Sequence, residues 1–382
     1  MKYKLSEICS YRKGKVEVSS LTCINYISTE NMLANKNGIT KATSLPSIAL
    51  TQEYKKGDVL VSNIRPYFKK IWRAKCDGGC SNDILVFQAN KDTDKGFLYY
   101  ILANDEFFKY AMSTSKGTKM PRGDKISIMQ YEVPVFDLGI QRRIAEILGM
   151  IDEKIELNNK INENLLQQAK SVYLHLFADN EYMTPATISD VALNITDGVH
   201  NTVRDDPDGE YLLLSCKNIK GGSLSIGSSE RKINTETFEK LRRRTKLAKG
   251  DVLISSVGTV GEILLLNEDP LNYEFQRSVA IVKPNPMIVS SAFLYESLVC
   301  QKPELINAAH GAVQQCLFIS DIAGFPIRIP TTEDLKTFDE IVNPMFNTIT
   351  ANEEESLQLS ALRDTLLPRL MSGELEISNL DL

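Results

Sequence analysis

Three histidines and seven cysteines are few for a chain of 382 residues, and their scarcity closes off several chemistries. No C-x-x-C occurs, the one close pair is Cys76 and Cys80 in a CDGGC turn, and the Cys/His spacing of structural zinc is missing. The odd, scattered cysteines read as reduced, partly buried thiols. No run of about 18 apolar residues is present, and the opening MKYKLSEICSYRKGK lacks a secretion signal's apolar stretch, so the cytoplasm is the expected compartment. There is no G-x-x-x-x-G-K-[ST] loop for nucleotide phosphates and no N-P-P-Y-like loop of a base methyltransferase; Gly258 and Gly261 in SVGTVGE are too sparse a glycine loop. Asp208 after Pro207, with Glu230 and Lys232, makes a formal P-D…E-x-K arrangement like those that hold Mg²⁺ in nucleases. The other half of the chain has no equivalent, and residues 205–209 also read as a polar loop. No catalytic residue, metal ligand or cofactor is therefore assigned to this chain.

What is abundant is self-similarity. KKGDVLVS at Lys55–Ser62 recurs as AKGDVLIS at Ala248–Ser255, FLYYIL after Gly96 as FLYESL after Ala292, and IAEIL at 144–148 as FDEIV at 338–342. A period of about 194 residues is far beyond solenoid repeats of roughly 20–50 and marks a duplicated domain. Two similar domains in one chain suit a target that comes in two halves. Net charge is −5, so attraction for nucleic acid has to be local. Seven Lys or Arg fall between Lys55 and Lys75 against one acid, and six between Lys240 and Lys249 against none, one basic run per repeat.

Each repeat reads as a mixed domain of short strands (DVLVSNI and DILVFQA; YLLLSCKNI, DVLISSV, EILLLNE and SVAIVKP) and one helical stretch, closed by VPVF or FPIRIP. A long helix then follows. From Ile144, steps of four and three reach Leu148, Ile151, Ile155, Asn158, Asn162, Leu165, Ala169, Val172 and Leu176, a heptad seam, and the same seam recurs from Phe338. Thirty-three residues span about 50 Å, more than a small domain covers, so the two seams are expected to pair. Antiparallel pairing sets Leu148 against Leu366, Ile155 against Leu359, Leu165 against Ile349 and Val172 against Val342. Polar layers fall together as Asn158 with Ser356 and Asn162 with Asn352. Arg363 lands opposite Ile151 and is expected to reach out to solvent, and Pro368 is expected to disturb the last turn. Paired this way, the helices would space the two domains by roughly 15 base pairs of DNA.

The segments NIRPYFKKIWRAKCDGGCSNDILVF (63–87), KGTKMPR (116–122), QRRIAEILGMIDEKIELNNKIN (141–162), ITDGVHNT (195–202), GAVQQ (311–315) and LRDTLLPRLMSGEL (362–375) resemble the specificity subunit of Type I restriction-modification systems. The resemblance covers nearly the whole chain. It implies an α+β protein with two similar mixed α/β target-recognition domains in pseudo-two-fold arrangement, at 1–140 and 179–334. Two long helices, 141–178 and 335–376, would separate them and form an antiparallel coiled coil. It implies a non-catalytic subunit that reads a bipartite double-stranded DNA target and docks two methyltransferase subunits and a motor or restriction subunit. S-adenosylmethionine, ATP and Mg would sit on those partners. Leu335 and Lys336 stand near where the first repeat has Gln141, which sets the two helix starts apart as docking sites.

By position, the DNA contacts implied in the first domain are Asn63, Arg65, Tyr67 and Lys69, with Lys116, Thr118, Lys119 and Arg122 from a second loop. In the second domain they are His200, Asn201, Thr202 and Lys217, with Ser256, Thr259, Arg277 and Gln314. Arg and Lys suit guanine edges or phosphates, Asn and Gln suit adenine, and a His-Asn-Thr turn offers several hydrogen-bonding groups at once. A self-contained nuclease and a purely structural coiled-coil scaffold are the alternatives.

Overall fold

The computed structural model describes residues 2–199, 203–227, 230–311 and 315–375. It falls into two compact units, Met1–Glu156 with Ser356–Leu382, and Leu157–Glu355.

In the first unit β1 (Cys9–Tyr11), β2 (Val59–Ser62), β3 (Ile71–Arg73) and β4 (Ile84–Ala89) make an antiparallel sheet in the order β1-β4-β2-β3. Side chains alternate across it. Val59 and Val61 enter a core shared with α1 (Lys95–Ala103) and the start of α2 (Leu138–Phe177), while Leu60 enters a second core with Tyr54, Ile84 and Val86. Burial on both faces is why this strand reads as an unbroken apolar run. Asp94 caps α1 by accepting from the Gly96 and Phe97 amides. The single helical stretch expected here is two helices. Asn104 is extended, and its side chain accepts from the Glu106 amide, opening a separate helix at Asp105–Ser113.

The second unit repeats the plan. β5 (Ala192–Asp197), α3 (Thr235–Thr245), β6 (Val252–Ser255), β7 (Ile263–Leu265) and β8 (Val279–Pro284) give a sheet of order β5-β8-β6-β7. Val252 and Ile254 face one core and Leu253 another, and α4 (Ser291–Cys300) is capped by Ser290. Two differences stand out. α3 precedes β6 where a strand, Leu50–Tyr54, precedes β2, and Cys216–Asn218 is a turn of 3-10 helix within a segment read as strand. The proline-bearing closing segments are strands: Glu132–Pro134 pairs with Lys2–Lys4, and Pro326–Ile329 with Thr184–Thr187.

α2 and α5 (Thr332–Ser372) carry the heptad seams. In the second unit Ala169, Tyr173 and Phe177 share a core with Phe338, Val342, Phe346 and Ile349, and Leu165 and Val172 pack against it. Asn352 donates to Asn162 Oδ1 at 2.8 Å, and Asn158 donates to Glu355 at 2.8 Å. These contacts run the helices antiparallel. In the first unit Ile144 and Leu148 share a core with Leu367 and Leu370, flanked by Leu366. The helices are thus not segments apart from the domains, as the sequence divides them, because their seams supply both cores. Two further expectations change. Arg363 does not reach out to solvent but pairs with Asp152 at 2.9 Å. α5 runs through both Pro344 and Pro368 to Ser372, the burial of Leu367, Leu370 and Met371 compensating the hydrogen bond lost at Pro368. Among the described residues, no helix is long and apolar enough to cross a membrane.

Candidate nucleic-acid interface

The first unit joins two loops that lie some fifty residues apart in sequence. The chain leaving β2 reaches Arg65, turns through a 3-10 helix at Pro66–Phe68 and exits at Lys69; Arg65 and Lys69 are both left-handed, with φ 51° and 49°. The loop carrying Lys116 to Arg122 is laid against it by backbone bonds. Arg65 N donates to Pro121 O at 2.8 Å, Gly123 N donates to Asn63 O at 3.1 Å, and Lys116 and Arg122 exchange two bonds of 2.9 Å. Bridges pair Ile64 with Arg122 and Lys116 with Arg122. Because main chain holds the rim, its side chains are left to face outward.

Arg65, Tyr67, Thr118 and Lys119 are exposed there. Tyr67 packs on Phe68 with ring centroids 4.6 Å apart, and Phe68 and Met120 add exposed apolar surface that sequence reasoning missed. Arg65 has no ion pair among the described residues. Nor has Lys119, whereas Lys69 pairs with Asp105 at 2.8 Å, Lys116 with Asp124 at 2.6 Å, and Arg122 with Asp83 at 3.1 Å. Burial raises the Asp105 carboxyl, but Lys36 and Lys69 together outweigh it and hold the group below its ordinary value. Lys116 likewise holds Asp124 low, helped by Ser127. Such exposed pairs are weak and can exchange a carboxylate for a phosphate. Asn63 is placed differently from the expectation, its buried Oδ1 packed inside the rim without a hydrogen-bond partner among the described residues.

The same joint recurs in the second unit. Bridges pair Val257 with Cys316 and His310 with Cys316, and Leu317 N donates to Ser256 O at 2.8 Å. His310 and Cys316 lie 194 residues after Lys116 and Arg122, so the repeat period itself would have singled out His310, whose ring stacks on the exposed Phe318 at 5.7 Å. Arg277 and Thr259 are exposed. Ser256 is not available as a DNA contact: it is buried, and its hydroxyl donates to the Arg277 carbonyl at 3.2 Å, so it positions Arg277 instead. Lys217 pairs with Glu230 at 2.9 Å. His200, Asn201, Thr202 and Gln314 lie outside the described residues.

Three other expectations meet the structure here. In the second basic run Arg242 turns inward to the buried Glu274 and Arg244 pairs with Asp197, while Lys240, Arg243, Lys246 and Lys249 stay exposed, and most of the run lies on a helix rather than in the hairpin that carries the first run. The nuclease-like set does not assemble: Glu230 is engaged by Lys217, Lys232 donates to the Pro207 carbonyl at 3.5 Å, and no group of three metal-type ligands converges among the described residues. Gln141 is buried and internal, accepting from the Asp94 amide at 2.9 Å and donating to the Phe136 carbonyl at 2.9 Å, so it fastens α1 to α2.

Comparison with known proteins agrees with this arrangement. The Type I restriction modification DNA specificity domain matches residues 1–167. The chain is 23% identical to the Type I restriction enzyme HindI specificity subunit of Haemophilus influenzae, spanning 98% of this chain and 99% of that one. It is 25% identical to the MjaIX specificity subunit of Methanocaldococcus jannaschii, spanning 74% and 70%. The crystal structure of a Type-I restriction-modification S subunit from M. genitalium shares the fold over 97% of this chain and 96% of that one, with a TM-score of 0.56 and 16% identity. By its duplicated fold, the family match over its first 167 residues and its full-length relatives, the chain is similar to the specificity subunits of Type I restriction-modification systems.

Proposed function

We propose that the chain is the non-catalytic reader of its complex, each rim recognising one half of a bipartite duplex while partner subunits perform the chemistry. The observation that carries this is the backbone-joined double loop of the first unit, which presents Arg65, Tyr67 and Lys119 on one rim and recurs in the second unit. An arginine without an ion pair among the described residues, beside an aromatic side chain, fits groove contact, where guanidinium donors pair with guanine edges and the remaining cations take phosphates. Two methyltransferase subunits and a motor subunit would carry S-adenosylmethionine, ATP and Mg. The test is a swap: exchanging residues 1–140 for those of another family member should change one half of the methylated target and leave the other. A change in both halves, or methyl transfer or cleavage by the purified chain alone, would refute the proposal.

A further inference from the structure

At the other end of the β2–β3 hairpin from the rim, Lys56, Gly57, Arg73, Ala74, Lys75 and Lys95 line an open concavity of about 570 Å³. Four of these six residues are cationic. Arg73 lies over the Tyr99 ring at 5.9 Å, and Lys95 Nζ reaches the Lys56 carbonyl at 3.4 Å. Lys75 pairs with Glu156 of α2. Lys56, Arg73 and Lys95 have no ion pair among the described residues. Like charges gathered this way repel one another, so the arrangement calls for a reason.

The duplication supplies an internal control. The turn that frames the concavity is built identically in both repeats. Lys56 N donates to Asp77 Oδ1 at 2.8 Å, as Lys249 N does to Asp269 Oδ1 at 3.1 Å. Gly57 N bonds Ala74 O at 2.8 Å, as Gly250 N bonds Leu266 O at 2.7 Å, and Ala74 N bonds Asp58 O at 2.9 Å, as Leu266 N bonds Asp251 O at 2.9 Å. The strand register equates Arg73 with Leu265, because Val59 faces the one and Val252 the other. Lys75 then matches Asn267, and Lys95, the first residue of α1, matches Ser291, the first of α4. The same framework therefore folds without three of the four cations, and the basic lining of the first repeat is not a requirement of the fold.

We infer that this concavity docks an acidic segment of a protein partner, two or more carboxylates entering among Lys56, Arg73 and Lys95. The inference rests on the reading that the chain works with protein partners and names the chemistry of one contact. A carboxylate borne on a helix, Glu156, already occupies its edge at Lys75. Nucleic acid fits less well. Arg73 pairs with Val59 at the end of the hairpin remote from the loop after Ser62, about 10 Å behind the rim at ~3.4 Å per residue.

The test uses the full chain, a fluorescein-labelled oligoglutamate peptide and, separately, a duplex carrying the target of the complex. The variant Arg73→Leu/Lys75→Asn/Lys95→Ser carries the residues of the second repeat. Peptide anisotropy at low salt should show binding to the parent chain and about a tenfold or greater loss in the variant, with duplex affinity unchanged. Lys56→Ser/Lys95→Ser, altering two exposed side chains, should lose peptide affinity in the same direction and serves if the triple variant does not fold. Equal peptide binding by parent and variants, or none by the parent, overturns the inference. Loss of duplex affinity with peptide binding intact also overturns it and assigns the concavity to nucleic acid. A parent chain that binds peptide but no duplex would count against DNA reading and leave this docking site standing.

Discussion

Arg363 on α5 donates to Asp152 on α2 at 2.9 Å, and the Tyr100 hydroxyl donates to the other oxygen of the same carboxylate at 2.7 Å. An arginine in a heptad seam is thereby held inside the first unit, its charge matched where its stem is packed. Removing Asp152 leaves Arg363 only its exposed neighbour Asp364. Asp152→Ala should cost about 2–4 kcal/mol in urea unfolding, and Asp152→Ala/Arg363→Leu should recover most of it. A single-variant cost below about 0.5 kcal/mol would show the pair to be a surface ornament.

Glu296 on α4 is buried, and neither carboxylate oxygen has a hydrogen-bond partner among the described residues. Burial pushes its pKa from 4.5 to about 8, with Lys170 drawing it down only in part. Between those values the unfolded chain has released a proton that the folded chain keeps, so stability should fall as pH rises through that window and level off above about 8. Glu296→Gln should remove this slope and be more stable than the parent at pH 8 by about 1–3 kcal/mol. Matching pH profiles for the two proteins would contradict it.

The Asn162–Asn352 bond predicts a sign change between single and double replacement. Asn352→Leu alone leaves the Asn162 amide under-satisfied in a buried layer and should destabilise by about 1–3 kcal/mol. Replacing both by leucine should be neutral or stabilising, as for apolar seams in general. Additive losses in the cycle would mean that the two amides act independently.

Arg65→Ala should weaken duplex binding by about 1–3 kcal/mol while leaving the unfolding midpoint unchanged, since the side chain is exposed. If Arg65 touches a base edge, the salt dependence should change little and discrimination at one base pair should relax. A shallower salt slope with uniform weakening across sequences would move it to a phosphate.

Strands and seams were legible because their signal is periodic: the two-sided burial of Val59–Ser62 and the 194-residue echo of Ile144 at Phe338 are written chiefly in apolar residues. The loops were legible as to place but not as to role. Ser256 and Asn63 are polar in sequence and become internal fittings because backbone from a distant loop covers them, which no local pattern encodes. Arg242 reads as one of a basic run, yet its partner Glu274 lies 32 residues away across a strand pairing. His310 was missed although it directly precedes the GAVQQ segment, because a lone histidine there carries no pattern of its own; only its offset from Lys116 marks it.

The rim of the first unit is sewn together by amide and carbonyl groups, at Arg65 to Pro121, Gly123 to Asn63 and Lys116 to Arg122, and every residue but proline can donate such bonds. A stitch of that kind does not ask which side chain it carries. The side chains carried on that rim can therefore be rewritten one at a time without unpicking the cloth behind them, so its surface can take on a new vocabulary at little cost in folding.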